Sequence, residues 1–246
     1  FALMAQPIAS LTGSSDVPRY EILLRMKDDA GSAVPSSAFF SAAERYQLMP
    51  QVDRWVVSKT LASLSEHPEV IRDAGAVFSV NLSGQSLSDD DILEFIEQEI
   101  EEAGLPATSL GFEVTESAAV SNLAKAQQFI TALREHGCSI ALDDFGAGLS
   151  SFAYLKNFAV DILKIDGGFI RDISENRISE SMVAAITQVA KVMELETVAE
   201  YVENEKTRKL IAKLGVHYAQ GHAIGKPLPL EDVLGDLSVR VKTSTA

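Results

Sequence analysis

Nine polar residues interrupt or end short apolar runs of this chain. Glu21 interrupts YEILLRM, Asn81 ends AVFSVN, and Glu113 and Glu116 lie in FEVTE. Asp143 and Asp144 end SIALDD, Lys164 lies in ILKID, Glu200 ends TVAE and Gln220 lies in HYAQG. Burying Glu21, Glu113, Asp143, Asp144 and Glu200 together would be prohibitive without cations between them, because ionised carboxylates are costly to remove from water. Hard oxygen ligands select Mg²⁺ or Mn²⁺ over zinc, and no His or Cys occupies these positions. Two adjacent Asp offer one bridging and one terminal carboxylate, which suits two ions about 3.5–4 Å apart. Such a pair stabilises the attacking and leaving oxygens of an in-line phosphoryl displacement. Taken singly, any of these acids could instead cap a helix or pair with a surface Lys. A barrel enzyme that stabilises an enolate on one Mg²⁺ would share the acids and the Lys. That chemistry leaves Asp144 beside Asp143 without a task.

The elements that must position these residues alternate in period. Strand-like runs occur at FALMAQPI, YEILLRM, AVFSVNL, LGFEVTE, SIALDD, DILKID, ETVAEYV and HYAQGHAI, with stretches of helical period between most of them. Met182, Ile186, Val189 and Met193 recur at helical spacing and predict one buried face. NLAKAQQFITALREHG and SDDDILEFIEQEIEEAG each end on a Gly suited to a C-cap, Gly137 and Gly104. Eight strands with intervening helices are the arithmetic of a (β/α)₈ barrel, whose active sites lie at the C-terminal ends of its strands. Seven of the eight predicted strands contribute to the polar set. The first connection, LTGSSDVPR, is too short for a helical crossover, so the first two strands should be antiparallel. The expectation is one TIM-like barrel over residues 1–235 with one reversed strand, followed by a tail at 236–246.

Composition narrows the partners. The chain of 246 residues carries 21 Lys and Arg against 35 Asp and Glu, a net charge of −14. That surface should repel DNA, RNA and anionic lipid, whose binding needs cations against phosphates. A small anionic ligand is not excluded, since a bound divalent metal reverses the local sign. The single Cys, Cys138, rules out an internal disulfide and a structural Cys-based zinc site. No apolar run of about 18 residues is present, so no membrane span is expected. The start on Phe1, without an initiator Met or a basic leader, suggests a piece of a longer polypeptide; the fragment is expected in the cytoplasm, with a membrane-tethered parent left open. After Asp144, Gly146 and Gly148 permit close backbone approach to a phosphate, although Ser151 breaks the G-x-G-x-x-G pattern.

Taken in order, Gln6-Pro7-Ile8, Glu21-Ile22-Leu23-Leu24-Arg25, Asn81-Leu82-Ser83, Glu113-Val114-Thr115-Glu116, Asp143-Asp144-Phe145-Gly146, Lys164-Ile165-Asp166, Glu200 with Glu203, and Gln220-Gly221 resemble the EAL-domain cyclic-di-GMP phosphodiesterases. The similarity runs from the first strand to about Pro229. It implies a TIM-like barrel with one antiparallel strand and Mg²⁺- or Mn²⁺-dependent hydrolysis of cyclic-di-GMP to linear 5′-pGpG. By that resemblance Glu21, Asn81, Glu113 and Asp143 hold a first metal, and Asp143 bridges to a second one supported by Asp144. Glu200 lies nearby or binds through water, and Lys164 contacts the nucleophilic water. Gln6, Arg25 and Gln220 serve substrate and water, with Arg25 gripping a phosphate. Glu116 anchors the loop containing DDFG, and the helix after that loop is associated with a homodimer. The chain departs from the family pattern at Ile22, Ala147, Leu149, Tyr201 and His222, where Ala, Thr, Tyr, Gly and Tyr are usual. None of these removes an acid or the Lys, which argues against a catalytically silent receptor for the nucleotide.

Overall fold

The computed structural model describes residues 1–13, 17–147 and 152–244. Ten strands occur in it: β1 (Ala2–Ser10), β2 (Arg19–Lys27), β3 (Ala33–Val34), β4 (Val77–Leu82), β5 (Leu110–Thr115), β6 (Ser139–Phe145), β7 (Ile162–Ile165), β8 (Glu196–Ala199), β9 (Tyr218–Gln220) and β10 (Leu228–Pro229). β2 and β4 to β9 pair in parallel order, and β1 closes the ring by pairing with both β2 and β9. Both of those β1 ladders are antiparallel. The result is a closed eight-stranded barrel with β1 reversed, as expected from the short first connection. β3 and β10 add short antiparallel pairings to β2 and β1. All seven parallel strands therefore deliver their C-terminal ends to one mouth.

Strands covered by helices outside and filled by side chains inside should read as near-continuous apolar runs. β5 and β7 do so, and Phe78, Phe112 and Phe145 are fully buried in the core. Among the helices, Leu123–His136 is capped by Asn122, which accepts from the Lys125 N–H. That helix and Ile92–Ala103 end on Gly137 and Gly104 in left-handed backbone, as the sequence predicts. The helix that begins at Ile92 carries Glu94 in its first turn, with Asp89–Asp91 just before it. In Arg177–Val192 the buried stripe is Val183, Ile186, Thr187 and Ala190, with the expected Met182, Val189 and Met193 half-buried beside it. Thr187 is tolerated inside because its hydroxyl donates to a carbonyl, with Val183, Ala184 and Leu214 oxygens all within reach. Among the described residues no helix is long and apolar enough to cross a membrane.

The C-terminal end differs from the expected tail. The last helix runs Leu230–Ser244, and Val233, Leu234, Leu237 and Ser238 are buried. The 235/236 boundary falls inside this helix because its apolar stripe continues past it; Ser238 Oγ also meets His67 Nδ1 at 3.1 Å. Leu237→Ala should lower unfolding stability by about 2–4 kcal/mol in urea titrations. An unchanged midpoint would mean that the segment is a tail after all.

Candidate functional site

At the barrel mouth, Lys164 is only 1 % exposed, and its ammonium lies among four carboxylates. Nζ lies 2.8 Å from Glu200 Oε1 and 3.3 Å from both Glu21 Oε2 and Asp143 Oδ1. It also donates to Glu113 Oε2. Burial works against the charged amine, but Asp143, Glu113, Glu21 and Glu200 outweigh it and hold Lys164 well above the usual lysine range. Glu21 is stabilised as a carboxylate in the same way. Burial raises it, but Lys164 and the donated hydrogen bonds overcome that and leave it below its usual range. Its donors are Gln220 Nε2 at 2.5 Å and Asn81 Nδ2 at 2.7 Å. Donation by Asn81 through nitrogen leaves its amide oxygen for another partner. Gln6 lies opposite Glu21 in the β1–β2 ladder and accepts from Gln220 Nε2 at 3.3 Å.

One ammonium cannot balance this set. Burial pushes Glu113 well up, aided by the facing charges of Glu21 and Asp143 and opposed by Lys164. Burial raises Glu200 to about 7, with Asp143 adding to the shift. Burial and then Asp143 raise Asp144.

Neighbouring residues of a regular strand point to opposite faces. Asp143 and Asp144 escape that rule because the β6–β7 register shifts between Leu142 and Phe145. Asp144 sits there at φ +52°, and its N–H folds back onto Asp143 Oδ1 at 2.9 Å. Left-handed backbone on a non-glycine residue costs roughly 1–2 kcal/mol, least for Asp and Asn. The bulge puts carboxylate oxygens of Asp143, Asp144 and Glu200 within 4.8 Å of one another, a group that could hold a metal ion.

The donor set fits hard divalent cations. Five carboxylates and one ammonium leave four net negative charges when all are ionised, which two divalent ions match. Gln220 Oε1 is buried without a hydrogen-bond partner, on the same amide whose Nε2 donates to Glu21.

Gln220 is held by the glycine that follows it. Gly221 has φ +150°, and a Cβ there would meet the Val202 backbone nitrogen at 2.3 Å. The close approach lets Val202 N–H donate to the Gln220 carbonyl at 3.0 Å, tying the end of β9 to the segment after Glu200.

Arg25 and Glu116 stand apart from the cage. Arg25 donates to the Leu24 carbonyl at 2.8 Å and lines a cavity of about 540 Å³ with Asn81, Asp144 and Tyr201. Glu116 begins the helix Glu116–Ser121 and accepts from the Gly146 N–H at 2.9 Å, gripping the turn after DDF. Gly148 and Leu149 of that loop lie outside the described residues. His222 is exposed and lies 3.6 Å from Glu203.

Asp53, which sequence reasoning missed, is buried on the helix Met49–Ser65. It accepts from the Ser83 N–H at 2.8 Å and the Ser86 hydroxyl at 2.7 Å, fixing the turn that follows Asn81. Its signal was present as an acid in helical register with the buried Val56 and Val57. Asp166 caps the helix Gly167–Arg171 by accepting from the Gly168 N–H.

A cation must displace any proton held by Glu200. Apparent Mn²⁺ affinity should therefore fall as pH drops below about 7, by up to tenfold per unit for one proton, and flatten above it. Calorimetry in buffers of different ionisation enthalpy should show proton release on binding at pH 6 and less at pH 8.5. Equal release at both would contradict this assignment.

The EAL domain family model matches residues 1–227. The chain is 38% identical over 239 residues to cyclic di-GMP phosphodiesterase PdeB of Shewanella oneidensis, covering 97% of this chain and 28% of that protein. It is 41% identical over 237 residues to cyclic di-GMP phosphodiesterase PdeF of Escherichia coli, covering 96% of this chain and 31% of that one. The chain thus spans less than a third of the length of these relatives. Among solved structures, the PaMucR phosphodiesterase in complex with c-di-GMP superposes with TM-score 0.87 at 28% identity, covering 94% of this chain and 93% of that one. The FimX EAL domain from Pseudomonas aeruginosa bound to c-di-GMP gives 0.84 at 30% identity, covering 92% and 90%. With the family model spanning the barrel from β1 to the segment before β10, the chain belongs to the EAL domain family.

Proposed function

We propose that this domain hydrolyses cyclic-di-GMP to linear 5′-pGpG with two Mg²⁺ or Mn²⁺ ions. The observation that carries the reading is the intact cage: Glu21, Glu113, Asp143 and Glu200 around Lys164, beside a cavity that also holds Arg25. The names of the relatives and the bound nucleotide of the solved neighbours support the same substrate.

Glu21, Asn81, Glu113 and Asp143 would hold one ion, and Asp143 and Asp144 the other, with Glu200 beside them. The ions supply charge neutralisation at the phosphate and a water acidic enough to give hydroxide near neutral pH. Lys164, at the centre of the ligands, orients that water and balances the carboxylates. Gln220 adds an acceptor through Oε1, and its Nε2 keeps Glu21 and Gln6 in place. Arg25 offers a guanidinium fork to a phosphate oxygen. Water adds to one phosphorus, the P–O3′ bond breaks, and O3′ takes up a proton. The product carries a 5′-phosphate and a 3′-hydroxyl. Glu116 acts at a distance, by holding the Gly146 turn behind Asp143 and Asp144.

The reading includes a cytoplasmic location for the domain, where an intracellular second messenger would reach it, whether or not a longer parent chain is tethered to a membrane. The reading also includes a homodimer through the helix after the DDFG loop, Phe152–Leu155. Exposed Val120, with Ala147 and Tyr154, lines a cavity of about 480 Å³ at that face.

Incubation with cyclic-di-GMP and Mg²⁺ or Mn²⁺, followed by chromatography, should show pGpG. Asp143→Asn should reduce its formation by at least about a hundredfold while leaving the circular dichroism spectrum unchanged. Binding of the nucleotide without any pGpG would identify a receptor instead and contradict the proposal.

A further inference from the structure

Tyr201 follows Glu200 directly and carries an unusual combination of features. Its backbone sits at φ +53°, a conformation that side-chain-bearing residues rarely adopt. The residue is 48% exposed and lines the same cavity of about 540 Å³ as Arg25, Asn81 and Asp144. The Arg171 guanidinium lies 3.9 Å from the ring centroid, at stacking distance. The ring also packs so closely on the start of the helix Gly167–Arg171 that a Cβ at Gly167 would lie 2.1 Å from Tyr201 Cδ2. A residue so exposed gains little from burial, yet the chain holds it in strained backbone against two supporting residues. Strain that persists beside a metal-ligand set points to a role in the site rather than in the core.

We propose that Tyr201 is a stacking platform for a nucleobase of the bound nucleotide, so that it sets affinity for the substrate without taking part in bond cleavage. The inference rests on the cyclic-di-GMP reading above. A phosphate held by Arg25 and the cage places the attached nucleoside within the shared cavity. There a planar π surface backed by a guanidinium is the complement that a purine needs. Arg171 acts as a positioning residue for the ring.

Tyr201→Gly and Tyr201→Phe, with the wild type, test the proposal. Glycine accepts φ +53° without strain, so Tyr201→Gly should fold with an unchanged or higher melting temperature. Steady-state hydrolysis of cyclic-di-GMP should show KM raised roughly tenfold or more with kcat within about twofold. Tyr201→Phe keeps the ring and should retain wild-type KM. Calorimetric titration with linear pGpG and Mg²⁺ should show the same pattern in Kd. An unchanged KM and Kd in Tyr201→Gly would overturn the stacking role, as would failure of Tyr201→Phe to match the wild type. Should the wild type itself form no pGpG, the phosphodiesterase reading fails. The titration still decides the stacking role, because it needs binding and no turnover.

Discussion

Everything at the mouth of this barrel depends on one buried cation. Without Lys164, Glu21, Glu113, Asp143 and Glu200 would face one another in a low-dielectric interior with only neutral donors between them. Removing one partner of a buried ion pair commonly costs about 3–5 kcal/mol, because the other charge is left uncompensated. A single ammonium is also too little, and the surplus appears as raised carboxyl groups at Glu113 and Glu200. The cage is thus tolerable in the metal-free fold and better balanced with divalent ions in it. Folding and the proposed metal binding would draw on the same side chains.

Four non-glycine residues among those described hold left-handed backbone; Gln47 and Glu194 follow helix ends, and the other two lie at the site. Asp144 and Tyr201 hold left-handed backbone without being glycine. The first departure turns two consecutive carboxylates toward one mouth; the second places an aromatic ring beside them. Around these points the scaffold is cross-tied by hydrogen bonds and close contacts. Asp53 ties down the turn after Asn81, Glu116 the turn after Phe145, and Gly221 the segments after β8 and β9. Each of these ties crosses between different elements, so the site's geometry is set by tertiary contacts more than by the strands alone.

The barrel and its reversed strand were legible because strand-like runs alternate with helical periods and the first connection is too short to cross over. The cage was legible for a related reason: an acid inside an apolar run must have a partner. Other features left weaker traces. Nothing in SIALDD marks the register shift that turns Asp144 alongside Asp143, since a bulge depends on the neighbouring strand. In Arg177–Val192 the expected Ile186 is buried and Met182, Val189 and Met193 are half-buried, because Val183, Thr187 and Ala190 take the centre of the stripe; Thr187, polar by type, is buried through its hydroxyl's bonds to carbonyls. The last helix resembles a tail in sequence because charged and small polar residues separate its apolar positions, Val233, Leu234, Leu237, Val239 and Val241. Asp53 was passed over because its partners, Ser83 and Ser86, lie some 30 residues away in sequence.

The carboxylates around Lys164 are proposed to hold two ions. Anomalous diffraction at the manganese edge, on crystals grown with Mn²⁺ and cyclic-di-GMP, tests that proposal most directly. Two peaks are expected at the barrel mouth, with Asp143 between them. One is flanked by Glu21, Asn81 and Glu113, the other by Asp144. A single peak, or manganese bound only away from these side chains, would contradict it.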